Sequence, residues 1–148
     1  MAVPPFASAL NSISLECFRL TARLNQAADH MARDFGLTSA RWQVLSALEQ
    51  AGRPLTVAAI ARLMGLKRQS VQRTADALVD LGYLEFSANP AHRRARLATL
   101  TTRSRAVLEA LQQRQQAWAA ELNGEIPVAE LQQATTTLAA LRKLLETR

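Results

Sequence analysis

Apolar residues recur at Leu10, Ile13, Cys17, Leu20, Leu24, Ala27 and Met31, with spacings that alternate three and four. That is the seam of a helix packed along another helix. Ser8 is placed to cap it, and Met1 to Ala7, with Pro4 and Pro5, reads as a loosely ordered lead-in. Gly36 supplies a stop. Thr38 then caps a second helix, with Trp42, Leu45 and Leu48 facing inward and Gly52 ending it. Arg53-Pro54-Leu55 reads as a short extended link. Thr56 caps a third helix with Ile60, Ala61 and Leu63 inside, broken at Gly65. A fourth runs from about Lys67 to Leu81 on a stripe of Val71, Ala75, Leu78 and Val79.

The period then changes. Tyr83 to Ser87 predicts a strand with Leu84 and Phe86 on one face, Asn89-Pro90 a turn, and Arg96 to Leu100 a return strand. Thr101 caps a long Gln-rich helix whose apolar side is Val107, Leu108, Leu111, Trp118 and Leu122. Gly124 stops it. Pro127 suits the first turn of a last helix through Leu131, Leu138, Leu141 and Leu145. The fold class is therefore mainly α with a small β-hairpin. The first helix and the last two each carry an apolar face that the middle cannot cover, so a second copy of the chain is the simplest partner. Residues 8–35 and 105–146 are expected to form a helical dimerisation region around a reading module at 37–104.

Composition narrows the chemistry. A chain of 148 residues, 49% hydrophobic and 20% charged, fits one soluble domain or one domain with an appended helical segment. One cysteine excludes a disulfide framework, and His30 and His92 are too far apart in sequence for zinc-ligand spacing. No metal and no cofactor is expected. No apolar run approaches the roughly 18 residues of a membrane span, so no membrane partner is expected. The N-terminus has no basic region of a secretory signal, which leaves the cytoplasm as the expected compartment.

The net charge of +6 becomes informative once mapped. Between Gly52 and Arg105 lie ten basic residues and three acids, whereas the rest of the chain holds eight basic and nine acidic residues. The whole excess sits in the middle third, as in a nucleic-acid reader carried on a near-neutral scaffold.

The segment from Ile60 to Val71 has the pattern of two helices crossing steeply. Ala61 supplies the small residue at the contact, and Gly65 the tolerance of positive φ in the turn. Arg68, Gln69, Gln72 and Arg73 then face outward. Arginine pairs well with guanine and glutamine with adenine, while Lys67 and Ser70 at the helix start suit phosphate. Downstream, Arg93, Arg94 and Arg96 stand at and beside a loop tip, where arginines can enter a narrow minor groove. Alone, the first element also reads as a generic αα-hairpin with a solvated polar face, and the second as a solvated loop. Their succession favours nucleic acid.

These residues resemble the MarR family of winged helix–turn–helix transcription regulators. The resemblance runs through Leu37-Thr38-x-x-Arg41-Trp42-x-Val44-Leu45, Leu55-Thr56-x-x-x-Ile60-Ala61 and Arg68-Gln69-Ser70-Val71-Gln72-Arg73. It continues in Asn89-Pro90-x-x-Arg93-Arg94-Ala95 and Leu97-x-x-Leu100-Thr101. It covers the chain from about Leu10 to Leu145 and implies an obligate homodimer on a pseudo-palindromic DNA operator. It also implies release of the DNA by a small ligand or an oxidation event. His92 stands where many members carry an aspartate that pairs with a wing arginine, and Ser104 replaces a common glycine.

Cys17-Phe18-x-Leu20 echoes the peroxide-sensing branch of that family, although Thr21 stands where a tyrosine is expected. Cys17 thus has a redox reading beside that of a buried core thiol next to Glu16. His30, Arg41 and Trp42 could line a cleft for a small aromatic or anionic effector, against a reading in which Trp42 is core and the other two are surface. Trp118 reads as an interface anchor or core residue. The function expected is a dimeric DNA-binding regulator, a repressor relieved by a small molecule or oxidant. The alternative is a winged-helix protein adaptor without operator specificity. No catalytic set, phosphate-cradling loop or metal cluster points to an enzyme.

Overall fold

A computed structural model describes residues 4–148. The elements are α1 (Pro5–Ala32), a single 3₁₀ turn (Arg33–Phe35), α2 (Ser39–Ala51), β1 (Leu55–Thr56), α3 (Val57–Met64) and α4 (Arg68–Asp80). They continue with β2 (Leu84–Ser87), β3 (Leu97–Leu100), α5 (Thr102–Glu121) and α6 (Val128–Glu146). The chain divides into two compact units, one ending at Gln112 and the other running from Gln113 to Arg148. The mainly helical architecture with a small sheet is the one the periodicity predicts.

The start of α1 corrects the expected lead-in. Pro4 is the N-cap and Pro5 the first helical residue, so the helix begins ahead of Ser8. Proline suits that position because its missing N–H would have no intrahelical partner. Met1 to Val3, the rest of the expected lead-in, lie outside the described residues. Thr38 caps α2 by accepting from the Arg41 N–H at 3.3 Å, and Thr56 caps α3 by accepting from the Ala59 N–H at 3.1 Å. The Asp29 carboxylate of α1 also accepts from the Ser39 N–H, which ties the first two helices together.

The link at Arg53 to Leu55 ends in a strand. Leu55 pairs with Ala98 and Thr56 with Leu97, so β3 is the centre of a three-stranded antiparallel sheet of order β1-β3-β2. On its other side Leu84 faces Leu100 and Phe86 faces Ala98. In sequence the segment reads only as an extended link and not as a strand, because a two-residue strand has no measurable alternation.

The core joins Leu45 and Leu48 of α2, Ile60 and Ala61 of α3, and Val71, Ala75 and Leu78 of α4 to Leu55, Leu84 and Ala98 of the sheet and Leu108 and Leu111 of α5. Burying a leucine or isoleucine side chain contributes about 1.5–3 kcal/mol. Three expected inward residues are not inside. Leu63 is 66% exposed, Val79 lies at the margin of the α4 stripe, and Leu122, 51% exposed, follows the end of α5. Leu63 sits in the last turn of the short α3, where Gly65 turns the chain away at φ +63° before Leu63 can be covered. Pro127 is the N-cap of α6 and so precedes its first turn.

Tyr83 belongs to the core; the expected strand starts one residue later, at Leu84. The Tyr83 side chain is 1% exposed, and its hydroxyl donates to the Phe35 carbonyl at 2.6 Å. Arg103 covers the ring at 4.7 Å from its centroid. One residue before it, the Gly82 carbonyl accepts from the Thr101 hydroxyl at 2.8 Å, and Thr101 accepts in turn from the Ser104 N–H at 3.2 Å. The buried Ser104 donates back to the Thr101 carbonyl. The start of β2 and the start of α5 are therefore locked to each other.

Replacing Tyr83 by Phe removes the donor and leaves the Phe35 carbonyl without it. Stability should fall by about 1–2 kcal/mol, read as a lower denaturant midpoint at unchanged m-value.

Candidate nucleic-acid interface

Helix α4 is held from behind by Val71, Ala75 and Leu78, each at most 1% exposed. This fixes which residues turn outward. Lys67, Arg68, Gln69, Ser70 and Arg73 are exposed, or nearly so, and Gln72 is half-buried on the flank. The turn before α4 depends on Gly65 in the left-handed region, which a residue with a Cβ rarely adopts. Lys67 is the N-cap, and no side chain caps the helix start. The first-turn N–H groups, with the basic Lys67 and Arg68 beside them, can receive an anion such as a phosphate.

The wing is the 88–96 loop between β2 and β3. Asn89 shapes it: its side chain accepts from the Ala91 N–H at 3.0 Å, and its carbonyl from the His92 N–H at 3.2 Å. Arg93 and Arg94 are exposed and make no ion pair among the described residues. Arg96 is placed differently. It donates to the Phe86 carbonyl at 2.9 Å and lies over the Phe86 ring at 5.4 Å. It therefore braces one wing strand against the other.

Between α3, α4 and the wing opens a cleft of about 690 Å³. Val57, Ala58 and Phe86 contribute apolar wall, while Arg62, Arg68, Arg94 and Arg96 bring four positive charges to it. Asp76 is the one acid on its lining. Instead of pairing with an arginine, Asp76 accepts from the Gln72 side-chain amide at 2.9 Å. Sequence reasoning singles out neither Arg62 nor Asp76. For Arg62 the available signal is its position four residues after Ala58, on the α3 face beside the Ile60–Ala61 contact. His92 also lines this cleft, so the carboxylate on that lining comes from α4 and not from the wing.

The other sequence candidates lie outside the lining of this cleft. Trp42 is half-buried against the core, Arg41 donates to the Gly36 carbonyl at 3.0 Å, and His30 is exposed on the last turn of α1. Among the described residues no hydrogen bond joins these three. Cys17 is a half-buried free thiol, and the neighbouring Glu16 is paired with Arg19 at 2.7 Å. Trp118 is half-buried on α5. Among the described residues no group of three or more His, Cys, Asp or Glu side chains could hold a metal ion. Among them, too, no helix is long and apolar enough to cross a membrane.

A recognition helix held behind a tight turn, beside a basic two-stranded wing, defines a winged helix–turn–helix module. Residues 35–95 match the model of the MarR family. An uncharacterized protein of Mycobacterium tuberculosis is 41% identical over 99 residues, which span 67% of this chain and 68% of that relative. Among solved structures, Sco5413, a MarR family transcriptional regulator of Streptomyces coelicolor, is 27% identical, with 98% of each chain covered and a TM-score of 0.78. A MarR family transcriptional regulator of Silicibacter pomeroyi is 26% identical over 98% of this chain and 96% of its own, at a TM-score of 0.80. CouR of Rhodococcus jostii, solved bound to p-coumaroyl-CoA, shares the fold at 21% identity and a TM-score of 0.75, covering 87% of this chain and 90% of that one. The chain belongs to the MarR family of transcription regulators and carries its winged-helix DNA-binding fold.

The differing placement of the wing arginines has a measurable consequence. Arg96→Ala removes a charge-assisted hydrogen bond and a ring contact, so amide exchange in β2 should quicken about tenfold. Arg94→Ala should leave that exchange unchanged, as followed by hydrogen–deuterium exchange.

Proposed function

We propose that the chain is a dimeric, sequence-specific DNA-binding repressor whose grip on its operator is released by a small-molecule or oxidant signal. The observation that carries the reading is the exposed basic and amide face of α4 beside the free Arg93 and Arg94 of the wing. Arg68, Gln69, Gln72 and Arg73 read base edges in the major groove, and Lys67 and Ser70 hold phosphate. Arg93 and Arg94 reach the minor groove or its phosphates. Arg96 serves mainly by keeping the wing in shape.

The scaffold reading is supported by uncovered apolar surface on the terminal helices. Phe6, Leu15, Phe18 and Leu20 on α1 and Leu131, Leu144 and Leu145 on α6 are all about half exposed or more. A second copy covering residues 8–35 and 105–146 would bury most of them, and the 37–104 modules would then read two half-sites about 34 Å apart. A signal releases DNA if it binds better to a dimer geometry in which that spacing is lost. That CouR was solved with a bound CoA thioester supports a ligand as the signal. On this reading a small aromatic or anionic compound reaches His30, Arg41 and Trp42. A thiol route through Cys17 is the other source of release.

Footprinting on the DNA beside the chain's own gene tests the reading, with aromatic acids and organic peroxide as additions. Two protected half-sites one helical turn apart are expected, and protection lost with one of the additions. Binding without preference over random duplex overturns the reading in favour of a protein adaptor. Release by peroxide that persists in Cys17→Ser excludes the thiol.

At the residue level, Arg73→Ala should cost about 1–3 kcal/mol of discrimination between operator and random duplex. Arg94→Ala should weaken both about equally and lower the slope of log affinity against log salt by about one. Titrations at several salt concentrations read both effects.

A further inference from the structure

The Gln72–Asp76 hydrogen bond is the one feature of the basic cleft that its positive charge leaves unexplained. An acid facing a polyanion weakens binding, and four arginines on the same lining offer it ion pairs. Yet its partner is the Nε2 group of Gln72, one helical turn earlier. We propose that Asp76 is a positioning residue for sequence recognition: it fixes the orientation of the Gln72 amide, and so decides which base edge Gln72 accepts. This rests on the DNA-reading role proposed above.

Donor and acceptor chemistry supplies the reason. A glutamine amide has a donor end and an acceptor end, and a half-turn of the terminal torsion exchanges them. A free glutamine on a groove-facing helix can offer either end to a base. An ionised carboxylate only accepts, so a neighbouring Asp76 requires the NH₂ end. The 2.9 Å contact uses one of the two amide hydrogens. The second hydrogen and the whole Oε1 remain for the duplex. Donor and acceptor then stand in a fixed order, the pair that adenine meets with its N7 acceptor and N6 donor in the major groove. The partial burial of Gln72 restricts the same side chain further. Asp76 also repels phosphate, which disfavours registers in which backbone replaces base at this point of α4.

Selection from a randomised double-stranded DNA pool tests this with the full chain. Base preferences of the wild type are compared with those of Gln72→Ala, Asp76→Asn and Asp76→Glu at one salt concentration. The side-chain amide introduced by Asp76→Asn can donate or accept, which frees Gln72 to turn over. The expected result is that Gln72→Ala and Asp76→Asn flatten the same base-pair position in each half-site, by about tenfold. Asp76→Glu keeps an acceptor-only group and should retain that preference. Asp76→Asn should also bind random duplex more tightly, since a negative charge is gone. If Asp76→Asn keeps the wild-type preference at the position that Gln72→Ala flattens, the positioning role is overturned while DNA reading stands. If the wild type selects no sequence at all, DNA reading itself fails, and the proposal with it.

Discussion

The module depends on one constraint: a helix that presents a polar face to a ligand must be immobilised entirely through its other face. In α4 that task falls to Val71, Ala75 and Leu78, which recur at intervals of four and three and meet α2, α3 and the sheet. Ala75 is small enough to let the backbones approach, while Val71 and Leu78 fill the space on either side. The short turn from α3 is possible because Gly65 takes up a left-handed conformation there. With those residues in place, the outward order of Arg68, Gln69, Gln72 and Arg73 follows from helix geometry alone.

The position of the wing relative to this helix is set elsewhere. Tyr83 leaves α4 and enters the core at once, anchored by its hydroxyl to the end of the 3₁₀ turn. Gly82 and Thr101 fasten the outgoing strand to the start of α5. Between these anchors, β3 is paired on both edges and cannot slip without turning Ala98 out of the core. The arginines of the middle third thus divide by role. Arg96 and Arg103 lie over aromatic rings and stabilise the frame, whereas Arg93 and Arg94 are left to solvent. All four add to the positive charge, but of these four only the second pair is free to follow a phosphate.

Much of this is legible in the sequence. The caps Thr38 and Thr56, the stops Gly36, Gly52 and Gly65, and the alternation of Leu84 and Phe86 are local signals, because each depends on hydrogen bonds or sterics within a few residues. Asn89-Pro90 announces the turn for the same reason. Misplacements arise where the local signal is shared or absent. Ser8 has the chemistry of a cap, but Pro4-Pro5 starts the helix earlier. Leu63 continues an apolar stripe that its short helix cannot bury, and β1 is too brief to show a period.

The sequence by itself determined the helices, their turns, the central concentration of positive charge and the identity of the outward residues on α4. Those follow from periodicity and side-chain chemistry, which act over one or two helical turns. Only the tertiary structure decided which polar groups are still available. Arg96 and Arg94 are two residues apart and chemically identical, yet one is bound to Phe86 and the other is open. Asp76 reads in sequence as an ordinary surface acid, and only its place in an arginine-lined cleft sets it apart. Such distinctions depend on which strands and helices are brought together across ten or more residues, and no local pattern records that.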